Sequence, residues 1–355
     1  MKHENLLGKR PSILLLLPVL IAFYCSTAFS QSPSATPREE KLLNGLKLLM
    51  FDAPKSDKVT LKVRIHAGSA FDPQGKEGLM KLLAANIFPN PEAKEFFSDE
   101  LGGSLDVQSN YDYIQVNVTA KRESTIQMLE TVANAIVNID IDRETTSKLK
   151  ANQIKTLQGL AADPSYVAEQ SAAARLLGTY PYGRPVEGTA QSIAKIDYAD
   201  LLGAKQRFLT SDNATVLLAG PFDPTLAYRA VRRYFGSWLK SDKRVPATFK
   251  QPDDPPSGVQ IVESPAADKF EVRFVTRGTS RSSNDYAAFR IAAEVLKARL
   301  RAAKPTVDKS LINVKSFDHL LPGTFVIRFS GTKELAGLKS EADDLVQKAF
   351  SAPVS

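Results

Sequence analysis

The stretch GSAFDPQGKEGLMKLL, residues 68–83, follows almost directly on VTLKVRIH, residues 59–66, and the pair decides the fold class. In the upstream run Val59, Leu61, Val63 and Ile65 alternate with Thr60, Lys62, Arg64 and His66, the period of a strand with one wet face. Downstream, a loop carrying Asp72-Pro73 and Gly75 leads into Leu79, Leu82, Leu83 and Ile87 at helical spacing. A helix over residues 79–87 is therefore predicted against the sheet, ended by Pro89 and Pro91.

Working outward, the apolar run 46–51 after Asn44-Gly45 is expected to form an antiparallel hairpin with 59–66. Residues 93–101 read as a second short helix closed by Gly102-Gly103, and 105–108 with 114–120 as an antiparallel pair around Asn110-Tyr111-Asp112. Helices are predicted at 125–138, 143–160, 165–177, 198–208 and 226–235, with a buried strand at 215–219 and a turn-rich loop at 180–188. This order gives an α+β sandwich with helices on one face of a largely antiparallel sheet. Four prolines and two aspartates mark 246–258 as a linker. Beyond it, strands at 259–262, 270–275, 310–316 and 324–330, with helices at 285–300 and 335–350, repeat the opening in shortened form. This second copy, 259–355, lacks an equivalent of 143–235. It is expected to leave an open sheet edge and apolar surface, partly covered by Leu335, Leu338, Leu345, Val346 and Phe350.

The 355 residues are 43% hydrophobic and 24% charged, which excludes a disordered or collagen-like polymer. One cysteine and three histidines exclude a disulfide framework within the chain and any four-cysteine zinc site. The net charge of +7 comes from scattered basic residues, so no nucleic-acid partner is expected. Lys2, Lys9 and Arg10 precede an apolar run from Ile13 to Phe23 and the small residues of Ala28-Phe29-Ser30. Residues 1–30 read as a secretory signal peptide, 31–38 as a flexible leader and 39–245 as the first domain. The apolar run is too short for a stable membrane anchor. The chain is expected to be periplasmic or secreted.

Four segments carry a family resemblance: Asn44-Gly45 with 68–83, GGSLDVQSNYDY at 102–113, YPYGRPVEGTAQSI at 180–193, and Asn213-Ala214 through Gly220. In that order and near that spacing they resemble the insulinase-like (pitrilysin, M16) zinc metallopeptidase family. The resemblance implies a duplicated M16 peptidase-like (LuxS/MPP-like metallohydrolase) α/β sandwich, here with a short second copy. The family's helix carries an inverted zinc motif, His-x-x-Glu-His, and a further glutamate on the long downstream helix completes the metal shell. Residue by residue, these positions match Lys81, Ala84, Ala85 and Gln153, with Asn152 as the neighbouring choice for the last. A lysine brings a cation where a cation should bind, two alanines bring no donor, and no side chain is placed to take a proton from water. Glu77 finds no imidazole beside it. His66 and His319 read as surface or core residues, so no metal, no cofactor and no catalytic residue is expected.

What the resemblance leaves is binding. Relatives take peptide as an added strand near the Gly-Gly motif, which implies Gly102, Gly103, Ser104, Leu105, Asp106, Val107 and Gln108 as peptide-binding candidates. Lys81 reads either as a solvated lysine or as a partner for an acidic residue of another subunit. Arg184 and its Tyr180–Pro185 surroundings read as a rigid aromatic turn, and Tyr111 and Tyr113 flank Asp112 at the mouth of the second hairpin. The expected function is a non-catalytic subunit that partners a separate zinc-containing M16 homologue and helps form its peptide chamber. The alternatives are a free-standing cell-envelope module that binds unfolded peptide, and a zinc metalloendopeptidase with an unrecognised site.

Overall fold

The computed structural model describes residues 36–241, 249–250, 252–264, 269–303, 305–332 and 334–351. The signal-peptide reading, the leader up to residue 35 and linker residues 246–248 and 251 lie outside these residues.

The first sheet has six strands in the order β1-β2-β6-β3-β5-β4. They are β1 (Arg38–Lys41), β2 (Lys47–Asp52), β3 (Lys58–Ile65), β4 (Ser104–Ser109), β5 (Ile114–Lys121) and β6 (Ala214–Gly220). The alternation read in β3 runs across the whole sheet. Leu61 pairs with Val118 and Leu218, and Val63 with Val116 and Val216, on one buried face. Lys62 pairs with Asn117, Arg64 with Gln115, and Ser104, Asp106 and Gln108 continue the row on the opposite, polar face. Between β3 and β4 lie α1 (Leu79–Ala85) and α2 (Glu92–Glu95), the latter running into a π turn over Phe96–Glu100. Then come α3 (Thr125–Val137), α4 (Arg143–Ala161), α5 (Pro164–Leu177), α6 (Ala190–Lys195), α7 (Tyr198–Phe208) and, after β6, α8 (Pro224–Phe235). α3 buries Met128, Leu129, Val132 and Ile136 against the apolar face and packs beside α8. Asp142, Asp163, Asp197 and Asp223 cap α4, α5, α7 and α8 with their side chains, satisfying amides the first turn leaves open.

Two expectations in this half are corrected. β2 and β3 form no hairpin: β6 inserts between them, parallel to β2 and antiparallel to β3. The apolar run of β2 needs a partner on each edge, and a chain segment over 160 residues downstream satisfies one of them, with β1 on the other. Arg38, read as the end of a leader, opens β1 instead. The short helix α6 was not predicted; it rests on a Thr189–Ser192 capping box.

The second sheet is three-stranded, β7-β9-β8, from β7 (Phe270–Arg277), β8 (Ile312–Phe317) and β9 (Thr324–Gly331), with α9 (Tyr286–Ala302) and α10 (Leu335–Ser351). Its order copies β3-β5-β4, and α9 and α10 stand where α1 and α3 stand in the first copy. Leu296, Leu300, Ile327, Phe329, Leu338 and Leu345 form its core. Among the described residues no strand pairs with the second edge of β7. The strand expected at 259–262 is absent: Val259, Ile261 and Val262 are exposed in irregular chain. In the first copy the corresponding strand, β2, leans on β6, and the described residues supply no such neighbour here. Phe350 is also exposed rather than packed, whereas Leu338, Leu345 and Val346 contact the sheet as expected.

The two sheets are joined through α5 and the tyrosines after it. Arg273 of β7 donates to the Ser165 carbonyl at 2.9 Å and pairs with Glu271, which also takes Arg328 at 2.9 Å. Asp112, in the β4–β5 turn, accepts from Tyr182 Oη at 2.5 Å and from the Leu320 amide at 3.0 Å, while Leu321 N donates to Tyr182 Oη at 3.1 Å. The β4–β5 turn of the first copy thus meets the β8–β9 turn of the second.

Candidate functional site

The site is built around the start of α1. Asp72 is buried, and its two carboxylate oxygens accept from the amides of Gly78 and Met80 at 2.8 Å each, holding the helix N-terminus. Burial pushes its carboxyl up to about 7, although both amides and the nearby Arg184 favour the charged form. Gly78 sits at φ +93°, and a Cβ there would stand 2.8 Å from the Glu187 carbonyl oxygen and 2.9 Å from Gln153 Nε2. That close approach brings three elements together: α1, the middle of α4, and the loop before α6.

Lys81, in the first turn of α1, points its ammonium at Glu187, with Nζ 3.9 Å from Oε1. Gln153 on α4 donates from Nε2 to the Glu187 carbonyl at 2.8 Å. Ala84 is buried under them and Ala85 is half-buried. Asn152 is exposed. The structure therefore gathers Lys81 and Gln153 around Glu187, a residue the sequence did not single out. Lys81 finds its acid within its own chain. Both partners are about one-third exposed, so the pair is worth at most ~1 kcal/mol.

The donor set does not fit zinc. A zinc site needs three converging nitrogen, sulfur or carboxylate ligands, and among the described residues no group of three His, Cys, Asp or Glu side chains converges anywhere. Glu77 lies outside the cluster, taking the Gly75 amide at 2.9 Å and facing Arg184 at 3.8 Å. Arg184 itself donates to the carbonyls of Asp72 at 2.8 Å and Ala70 at 3.2 Å, which ties the 180–185 turn to the loop before α1. Its role is structural, as expected. His66 bonds Thr215 Oγ1 at 2.8 Å. His319 stands 3.6 Å from Asp112 Oδ2 and packs between Tyr111 and Tyr182, an inter-sheet contact that sequence distance hid. Tyr113 instead stacks under Arg64, 4.0 Å from the guanidinium carbon.

Beside α1 lies the edge strand β4, paired on one side only among the described residues. The two glycines before it have separate steric reasons. Gly102 is left-handed at φ +61°, and a Cβ on Gly103 would stand 1.8 Å from the Thr119 carbonyl oxygen. Gly103 N bonds the Phe97 carbonyl and Lys121 N the Leu101 carbonyl, so the chain enters β4 pressed flat against β5. Ser104, Asp106 and Gln108 are exposed, and Leu105 is buried.

Two family models match consecutive parts of the chain: the insulinase (peptidase family M16) model over residues 47–190 and the peptidase M16 inactive-domain model over residues 195–352. The chain belongs to the insulinase family of M16 peptidases. Within this M16 chain the residues that the sequence reading matched to the metal positions are Lys81, Ala84, Ala85 and Gln153, and among the described residues no group of three metal-ligating side chains converges. It resembles an uncharacterized zinc protease of Rickettsia bellii, 20% identical over 210 residues, covering 57% of this chain and 50% of that protein. An uncharacterized zinc protease of Mycobacterium tuberculosis is 24% identical over 222 residues, covering 60% and 50%. The chain spans about half the length of these curated relatives. Among solved structures, a protease from Helicobacter pylori superposes with a TM-score of 0.83 at 15% identity, over 90% of this chain and 81% of that one. The peptidase M16 inactive domain from Pseudomonas fluorescens gives 0.78 at 18%, over 89% and 78%. At those identities the likeness concerns the fold.

Proposed function

We propose that the protein is a non-catalytic M16 subunit of the periplasm that pairs with a separate zinc-containing homologue and supplies part of the wall of its peptide chamber. The observation that carries this reading is the contrast between two neighbouring features. The residues matched to the metal positions are Lys81, Ala84, Ala85 and Gln153, while the edge of β4 next to them is unpaired among the described residues. Strand addition uses backbone donors and acceptors, so it survives the loss of the metal ligands. The polar face of the first sheet, with Lys62, Arg64, Gln115 and Asn117, suits a wet inner wall. The exposed apolar side chains Ile291 and Val295 of α9 suit a protein that is completed by another.

The test is co-expression with a secreted M16 homologue that keeps the His-x-x-Glu-His helix. We expect co-purification as a defined complex, peptide cleavage that depends on the homologue's zinc, and peptide affinity that falls when β4 is altered. A monomer that binds unfolded peptide alone would replace this reading with the free-standing module. A chain with neither association nor peptide affinity would sink both.

A further inference from the structure

We infer that the corner formed by the β1–β2 turn and the end of α8 docks on an anionic phospholipid bilayer. Leu43 and Leu239 are the two most exposed large apolar side chains among the described residues, at 106% and 80%. The chain at each is tied to one hydroxyl, that of Ser211. Ser211 Oγ donates to the Asn44 carbonyl at 2.7 Å and stands 3.2 Å from the Leu239 carbonyl, while Asn44 Nδ2 donates to the carbonyls of Phe235 at 2.8 Å and Trp238 at 3.1 Å. Trp238, just before Leu239, is buried with its indole N–H on the Leu209 carbonyl at 2.9 Å. An exposed leucine on loose chain means little; two on backbone pinned from several sides form a fixed apolar point.

The surroundings of this point are cationic. α8 turns Ala227, Ala230, Val231 and Phe235 inward and Leu226, Arg229, Arg232 and Arg233 outward. Among the described residues no carboxylate pairs with Arg229, Arg232, Arg233 or the exposed Lys41 in β1. The nearby acids are engaged: Glu39 with Lys47, Glu40 with Arg38, Glu130 with the Tyr234 hydroxyl, and Asp212 with the Ser241 amide. Leucines that enter the acyl boundary, flanked by arginines at headgroup level, fit a bilayer that carries negative lipid. A protein partner would be met by neutralising acids, and it is the less favoured occupant. Arg38 opens β1 beside α8, with its guanidinium carbon 5.8 Å from the Tyr228 ring centroid.

The experiment is co-sedimentation of the full chain, as its host processes it, with vesicles of pure phosphatidylcholine and of phosphatidylcholine with 40% phosphatidylglycerol. Neutral vesicles read any contribution of an uncut apolar segment. We expect partitioning on the anionic vesicles roughly tenfold or more above neutral ones, lost in high salt. Arg229→Glu/Arg232→Glu/Arg233→Glu should remove the difference between the two vesicle types, and Leu43→Ser/Leu239→Ser should weaken binding about tenfold. All five sites are exposed, and circular dichroism melts confirm that the variants fold. Equal binding to both vesicle types, or anionic binding that neither variant alters, would overturn the proposal. So would a dimer in light scattering that Leu43→Ser/Leu239→Ser dissolves without any vesicle binding, which would make the corner a protein interface.

Discussion

The Tyr182 hydroxyl donates to Asp112 Oδ1 across 2.5 Å at the seam between the two sheets, and both residues are almost fully buried. Burial by itself would raise the Asp112 carboxyl. The nearby His319 imidazole and the hydrogen bonds from Tyr182 and the Leu320 amide outweigh it and hold the group below the usual carboxylate range. Asp112→Asn or Tyr182→Phe should cost about 2–4 kcal/mol, because each leaves a buried polar partner unmatched. The measurement is urea unfolding with protease sampling. Residues 270–351 should become cleavable before 38–235, and equal protection of both parts would refute the coupling.

The sign of the pH dependence separates two carboxylates. Asp72 has its carboxyl raised to about 7 in the fold against 3.8 when unfolded. The stability it preserves is full below pH ~4 and is lost as pH rises through about 7, a change of at most ~4 kcal/mol. Asp112 is depressed, so its contribution is present above pH ~4 and is lost as pH falls below that. His66, lowered first by burial and then by Arg64 and Lys47, opposes Asp72 by costing stability as pH drops below 6.5. Subtracting the Asp72→Asn profile from that of the native chain isolates Asp72. The difference should slope between pH 4 and 7, and a flat difference would contradict the burial argument.

Restoring one catalytic residue should restore nothing. Ala84 is 3% exposed in the core under Lys81. Ala84→Glu introduces a carboxylate with no zinc to activate water and no imidazole beside it. We expect no peptidase activity and a loss of roughly 3 kcal/mol or more from overpacking and charge burial. Chelator-sensitive cleavage by the purified variant would overturn the reading of the site.

The approach of the chain to β4 depends on Gly103. A Cβ there collides with the Thr119 carbonyl. Gly103→Ala should cost about 2–4 kcal/mol and raise amide exchange along Ser104–Ser109, with peptide affinity falling in parallel. Gly159→Ala is the contrast: it lies in α4 with open space around it and should stabilise by up to ~1 kcal/mol.

Residues 258–264 present Val259, Ile261 and Val262 to solvent with no strand partner among the described residues. Limited proteolysis of the isolated chain should cut here first. A partner that covers the second sheet should slow that cut several-fold, and an unchanged rate in the complex would argue against coverage of this side.

The alternation of β3 and the spacing of α1 declared themselves in the sequence because side-chain period is a local property. For the same reason residues 81, 84, 85 and 153 could be read against the family's zinc motif before any coordinates. Strand partners are not local. Nothing in Leu46–Phe51 says that Ala214–Gly220 will lie between it and β3, since an apolar strand accepts any neighbour that completes its backbone bonds. Tertiary structure also chose the partner of Lys81: Glu187 reaches it only because Gly78 and Gly188 let the loop before α6 press onto the start of α1. It alone brought His319 to Asp112 across 207 residues, and it alone set the Asn44 and Leu239 carbonyls on one hydroxyl, that of Ser211. Each of these is a contact between segments far apart in the chain. Its free energy comes from burial and hydrogen bonding that exist only once the sheets have formed.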